Sequence, residues 1–263
     1  MKIGFLGTGA IASAMVTGLS SAGGEAHSIL LSPRNAAIAA DLAHRFPQVS
    51  VASSNQEVVD ECTIVVVAVR PQIAQSVLSE LRFRAGQSVI SLVSGYSLQR
   101  VRTLASPASR VTRAVPLPSA AQRRSPTAIH PPDRVTAEIF DSLGTAFAVD
   151  SETEFDALCS ATATMATYFA FADGVASWLT RQGIPETIAR DYIARILSGL
   201  AHATAEAPER SFPSLAADHA TRGGTNQQVL TSLREHGVFD HLSEALDAVM
   251  RRVTASTSIP IDS

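Results

Sequence analysis

Two glycines separated by one residue, Gly7 and Gly9, stand where a short apolar run, residues 2–6, gives way to Ile11, Met15 and Leu19 at helical spacing. The chemistry available at such a junction is phosphate binding. Gly7 permits a tight turn, Gly9 lets the backbone approach a pyrophosphate, and Ala12 keeps helix and strand close. Gly7, Thr8, Gly9, Ala10 and Ile11 would then present backbone amides at the positive end of the helix dipole. A glycine-rich turn with no ligand is the plainer alternative. The segment Ser32-Pro33-Arg34-Asn35 bears on which dinucleotide is bound. Sites that prefer NAD place a carboxylate there for the ribose 2′-hydroxyl, but the next one here is Asp41. The Ser32 hydroxyl and the Arg34 guanidinium suit a 2′-phosphate, so NADPH is the expected cofactor, with NADH possible. Against this stands an ordinary exposed loop arginine. Ala68-Val69-Arg70-Pro71 ends a later apolar run, with Pro71 turning the chain across the cofactor and Arg70 either facing it or solvated.

A second glycine pair, Gly223-Gly224, lies within Thr221-Arg222-Gly223-Gly224-Thr225-Asn226, between two helical patterns. Successive amides leading into a helix suit a small carboxylate, and a plain glycine helix cap is the alternative. His219 lies close to this loop. Its type suits proton donation, although a packed or surface helix histidine is the simpler expectation.

Composition removes other chemistries. Among 263 residues and 21 basic side chains, Lys2 is the only lysine, which excludes Schiff-base chemistry and a phosphate-loop Gly-Lys-Ser/Thr. Cys62 and Cys159 match no zinc or CxxC spacing and read as two buried thiols of a reducing, cytoplasmic setting. His202, His236 and His241 form no metal constellation, so no metal is expected. A net charge of −3 argues against a nucleic-acid partner. No uninterrupted apolar run is long enough for a membrane helix, and glycines interrupt the N-terminal apolar stretch that superficially resembles a signal peptide.

The elements that must position these residues alternate. Strands are predicted at 2–6, 27–32, 49–52, 63–69, 88–92 and 111–115. Helices are expected between them, one capped by Asn35, one near 56–61, one at 73–81 and one at 98–104. The first helix is expected to stop at Gly23-Gly24. Two further strands, near 127–129 and 145–149, flank a helix at 134–143. The alternation predicts an α/β fold, a Rossmann doubly wound parallel sheet. After Asp150 only helices are expected, at 152–181, 185–205, 212–219, 226–236 and 239–252. The expected domains are therefore residues 1–150, residues 151–254 and a flexible tail, 255–263.

Gly7-x-Gly9, Asn55 with Glu57, Val67-Ala68-Val69-Arg70-Pro71-Gln72 and Thr221-Arg222-Gly223-Gly224-Thr225-Asn226, in that order, resemble the pyrroline-5-carboxylate reductase family over nearly the whole chain. The resemblance implies an NADP-binding Rossmann domain followed by an all-helical dimerisation domain that interlocks with a second subunit. It implies hydride transfer to the ring C=N of 1-pyrroline-5-carboxylate to give L-proline. Asn55 joins the cofactor-binding positions. Thr221, Gly223, Gly224, Thr225 and Asn226 become the substrate-binding loop, with Thr225 and Asn226 as the catalytic positions. The partners it implies are a small imino-acid substrate and a homodimer or higher homo-oligomer. Hydride transfer to a protonated imine needs alignment and a hydrogen-bond donor but no lysine.

The sequence also departs from the family pattern. Asn226 stands where a threonine is expected, and Arg222 replaces a proline. Arg113-Ala114-Val115-Pro116-Leu117-Pro118-Ser119 keeps the arginine and first proline of Arg-x-Met-Pro-Asn-Thr-Pro but loses its polar pair. A Ser-Gly-Ser-Gly-Pro-Ala run is replaced by Ala161-Thr162-Ala163-Thr164-Met165-Ala166, which predicts a more regular helix, with Thr164, Met165 and Tyr168 reshaping the pocket wall. These changes leave open another cyclic or linear imino acid, or a weakly active nucleotide-binding paralogue. Ile188, Tyr192, Ile196 and Leu200, with Leu242, Leu246 and Val249, form apolar stripes that fit either a subunit interface or internal packing.

Overall fold

The structure is a computed structural model and describes residues 1–21 and 27–257. Its first part alternates β1 (Lys2–Leu6), α1 (Ala10–Ser20), β2 (Ser28–Leu31), α2 (Ala36–Arg45), β3 (Val49–Val51), α3 (Asn55–Glu61), β4 (Ile64–Val67), α4 (Pro71–Ser79), β5 (Ser88–Ser91), α5 (Leu98–Leu104) and β6 (Arg110–Val115). Then come β7 (Ser125–His130), α6 (Arg134–Asp141) and β8 (Gly144–Ala148). Helices complete the chain: α7 (Glu152–Ala161), α8 (Met165–Arg181), α9 (Glu186–Glu206), α10 (Phe212–His219), α11 (Thr225–Glu235) and α12 (Val238–Thr257).

One eight-stranded sheet has the order β3-β2-β1-β4-β5-β6-β7-β8. The six strands β1–β6 are parallel, and their side chains alternate between two cores. Ile3, Phe5, Ile64 and Val66 join Met15, Leu42 and Phe140 on one face. Leu6, Val65 and Val67 join Val58, Leu78 and Val101 on the other. A sheet covered on both faces explains the unbroken β-branched run of β4. On the first face α1 lies so close to the turn after β6 that a Cβ on Gly18 would stand 2.1 Å from the Ala120 carbonyl oxygen.

The expected parallel order holds through β1–β6 and changes at β7. That strand pairs antiparallel with β6, through Arg113↔His130, Ala114↔Ile129 and Val115↔Ala128, and β8 then runs parallel to β7. Only a short connection with a 3-10 turn, Pro118–Gln122, separates β6 from β7, whereas a parallel return needs a crossover of about a dozen residues or more.

Other boundaries differ for local reasons. The single helix expected over 152–181 is interrupted by a 3-10 turn at Thr162–Thr164, so the lost glycines and proline did not leave a regular helix. The Thr164 hydroxyl donates to the Ala161 carbonyl at 2.8 Å, the local side-chain bond that competes with helical pairing. Asn35 occupies the cap position of α2 but is left-handed, with φ 62°, and makes no side-chain cap. Helix α4 starts at Pro71 rather than Ile73, because proline suits a first helical position, where no amide hydrogen is needed. Helix α12 continues to Thr257, through the start of the expected tail, while 258–263 lie outside the described residues. Gly23-Gly24 also lie outside them, and α1 ends at Ser20.

The chain forms two compact units, Met1–Cys159 together with the segment from Met250 onward, and Ser160–Val249. The division comes one helix later than Ser151 because α7 is fastened to the sheet. Buried Arg113 on β6 reaches Glu152 at 2.7 Å and Asp156 at 3.3 Å, and its guanidinium lies 4.4 Å from the centre of the Phe155 ring. Glu152 also accepts the Leu98 amide at 2.7 Å, at the start of α5. The helical unit is built differently. Among its described residues the buried apolar side chains are Ala189 and Ile193, while Phe169, Tyr192 and Phe212 are 70%, 59% and 74% exposed.

Candidate active site

In the first unit, the loop after β1 is shaped by its neighbours at the carboxyl edge of the sheet. Gly7 has φ +99°, and a Cβ there would lie 2.7 Å from the Ala68 carbonyl oxygen, so the position accepts only glycine without strain. Its amide donates to the Ser32 hydroxyl at 2.9 Å. The buried Thr8 hydroxyl donates to the Arg34 carbonyl, and the Asn35 side-chain amide donates to the Thr8 carbonyl at 3.4 Å. The loop after β2 therefore fixes the loop after β1.

This arrangement corrects the role expected of Ser32. Its side chain is fully buried and its oxygen accepts the Gly7 amide, so it holds the loop rather than facing a ligand. Arg34 remains exposed beside it. Gly9 caps α1 in extended conformation, no side chain caps the helix, and its first turn carries no acidic residue. A Cβ on Gly9 would meet nothing within 4 Å, leaving open space before the first amides of α1, with Ala10 exposed and Ile11 half-buried. An uncapped helix start, a cleared approach and an exposed arginine on the adjoining loop fit a dinucleotide bearing a 2′-phosphate.

The segment after β4 lies alongside. The Ala68 amide donates to the Leu6 carbonyl at 2.8 Å, Val69 is buried, and Arg70 is exposed immediately before Pro71. Tyr96, which sequence reasoning did not single out, donates its hydroxyl to the Pro71 carbonyl at 3.2 Å. Arg100 stacks 4.0 Å from the centre of the Tyr96 ring and donates to Gln75 at 2.5 Å. Asn55 is the first residue of α3, half-buried, behind the Ser54 cap. Glu57 accepts the Ser53 amide at 2.8 Å and the Ser53 hydroxyl at 2.5 Å, bonds that hold its carboxyl below the usual range. Leu117 and Pro118 begin the 3-10 turn, with the Leu117 amide donating to the buried Ser125 hydroxyl at 2.9 Å.

In the second unit, α10 and α11 flank the other glycine loop. Gly223 is left-handed, with φ +75°, and the Gly224 amide donates to the Thr221 carbonyl at 2.8 Å. Two successive amide side chains from α11 reach back. Asn226 donates to the His219 carbonyl at 3.0 Å, and Gln227 accepts the Gly223 amide at 2.6 Å. Thr225 is exposed at the first helical position, and His219 is exposed at the end of α10. Gly223, Gly224, Gln227, Thr231, Ser232 and Glu235 line a cavity of about 480 Å³ beside the loop.

Residues 2–95 match the family model described as NADP oxidoreductase coenzyme F420-dependent, and residues 152–255 match pyrroline-5-carboxylate reductase dimerisation. A pyrroline-5-carboxylate reductase of Methanosarcina acetivorans is 28% identical, covering 90% of this chain and 91% of that protein. The pyrroline-5-carboxylate reductase 3 of Xenopus laevis is 26% identical, covering 96% and 94%. The solved 1-pyrroline-5-carboxylate reductase of Streptococcus pyogenes is similar with TM-score 0.83 and 26% identity, over 98% of this chain and 99% of that one. The chain is thus similar to pyrroline-5-carboxylate reductases over nearly its whole length.

The two matches and these relatives mark the protein as an NADP-dependent oxidoreductase acting on C=N bonds, with residues 152–255 similar to a dimerisation domain. A reductive aminase of Aspergillus terreus, solved with NADPH4, cyclohexanone and allyl amine, shares the fold with TM-score 0.63 at 17% identity. Among the described residues, no helix is long and apolar enough to cross a membrane.

Proposed function

We propose that this chain reduces the C=N bond of 1-pyrroline-5-carboxylate to L-proline with NADPH. The observation that carries the reading is one chain bearing both an uncapped cradle at α1, with Arg34 on the adjoining loop, and a second glycine loop, Gly223-Gly224, at the start of α11. We divide the work between a nucleotide-binding region, 1–150, and a substrate and dimerisation region, 151–254, in a cytoplasmic homodimer. The cysteine count of two, with no CxxC or zinc spacing, suits that compartment.

NADPH supplies a hydride from the nicotinamide ring. The backbone of Gly7, Thr8, Gly9, Ala10 and Ile11 would hold its pyrophosphate, with Ser32 keeping that loop in shape. Arg34 would pair with the 2′-phosphate, while Asn55, Ala68, Val69, Arg70 and Pro71 bound the rest of the dinucleotide. In the substrate loop, Thr221, Gly223, Gly224 and Thr225 receive the carboxylate. The Thr225 hydroxyl then donates a hydrogen bond to the ring nitrogen as it becomes an amine. Asn226 acts through its bond to the His219 carbonyl, which sets the loop's angle. Alignment is the protein's main contribution to such a reaction.

Purified protein with NADPH is assayed on 1-pyrroline-5-carboxylate, 1-pyrroline-2-carboxylate and a piperideine carboxylate. Turnover and proline formation on the first support the reading, and turnover only on another imine overturns it. A different imino acid is favoured by two observations. The Asn226 amide is engaged at His219, and Leu117-Pro118 begins a turn where the family has a polar pair.

A further inference from the structure

The two backbone amides of the Gly223-Gly224 turn are both satisfied within the protein. The Gly224 amide points to Thr221, and the Gly223 amide is taken by the side-chain oxygen of Gln227 at 2.6 Å. Gln227 is the third residue of α11, from which a side chain reaches back over the helix start as in a capping box. Its partner, however, is the left-handed glycine rather than the capping residue, Gly224. A carboxamide oxygen is a neutral version of a carboxylate oxygen. It occupies the hydrogen-bonding direction that an anion at this loop needs, and it borders the adjoining cavity.

We infer that Gln227 is a resident competitor for the substrate carboxylate, displaced from the Gly223 amide when an imino acid binds; this rests on the reading that the loop receives the carboxylate. A charged acceptor bonds an amide more strongly than a neutral one, so the exchange runs toward substrate. Each binding event nonetheless gives up the internal bond, which lowers apparent affinity by the fraction of loops left uncapped. The competition acts only on carboxylated imines. It therefore widens the range of imines handled at comparable efficiency and weakens the preference for an imino acid over a simple cyclic imine.

The test compares wild type with Gln227→Leu and Gln227→Glu on 1-pyrroline-5-carboxylate and on 1-pyrroline, which lacks the carboxylate. Gln227→Leu removes the acceptor and is expected to lower KM for the imino acid about fivefold, the size of one net hydrogen bond, with kcat unchanged. The same variant leaves KM for 1-pyrroline unchanged. Gln227→Glu keeps the acceptor but adds a negative charge, so KM for the imino acid rises and that for 1-pyrroline does not. A residue that merely props the loop would show the opposite order, with Glu behaving like wild type and Leu impaired on both substrates. That pattern, or an unchanged KM in Gln227→Leu, overturns the inference. Titrating L-proline while following the Gly223 amide resonance separates the two levels. Equal Kd in wild type and Gln227→Leu sinks only the competitor role, whereas no response in either protein removes the carboxylate loop itself.

Discussion

At the scale of single residues, the cofactor cradle divides holding from contacting. Ser32 and Arg34 were both legible from the sequence by type, but only folding shows that the serine faces inward and the arginine outward. Arg34→Ala is expected to raise KM for NADPH by at least tenfold and leave KM for NADH unchanged. The loss corresponds to charge-assisted bonds of roughly 1.5–3 kcal/mol. Steady-state kinetics with both dinucleotides checks it. Ser32→Ala leaves the Gly7 amide without its acceptor, which costs about 1–3 kcal/mol, read as a lower urea midpoint at constant m. Tyr96 and Gln227 were invisible in the sequence because their partners, Pro71 and Gly223, are met through space or by a side chain turning back. Burial pushes the thiols of Cys62 and Cys159 up to about 11 and about 12. Both should resist alkylation in the native protein near pH 8 and react fully in denaturant, because little thiolate exists until the chain opens.

At the scale of elements, strand positions were legible wherever apolar runs met turn residues, and β1 through β6 followed from them. The direction of β7 was not. It depends on the length of its connection to β6, and the segment carrying Leu117 and Pro118 is too short for a crossover. The fastening of α7 was equally hidden, since Glu152 and Asp156 look like the ordinary acidic start of a helix until Arg113 is found beneath them. Arg113→Met removes a buried guanidinium and leaves Asp156, itself buried, without that partner. A loss of about 3–5 kcal/mol is expected on removing one member of a buried pair. Arg113→Met with Asp156→Leu should recover much of it, and a double-mutant cycle of denaturation midpoints measures the coupling. If the two losses simply add, the pair is not what fastens α7.

At the scale of the whole molecule, the two units differ in how their sequences are used. The first unit's apolar residues end in two cores on either face of a sheet, as alternation and β-branching led one to expect. In the second, the stripe of Ile188, Tyr192, Ile196 and Leu200 remains exposed, so periodicity showed the face but not what covers it. The match of residues 152–255 to a dimerisation domain supports self-association of the chain. Mass measurement in solution should give a homo-oligomer, and Phe169→Glu with Tyr192→Glu should shift it to smaller species.

A helical segment whose buried apolar residues are Ala189 and Ile193 has an uncommon relation to time as well as to space. So little internal packing leaves its helices dependent on encounter, because most helical stability comes from an apolar face meeting another. The sheet can therefore form at a rate independent of concentration, while the helices wait for collision. Refolding should show a slow phase that accelerates in proportion to protein concentration, and the thermal midpoint should climb on going from nanomolar to micromolar protein.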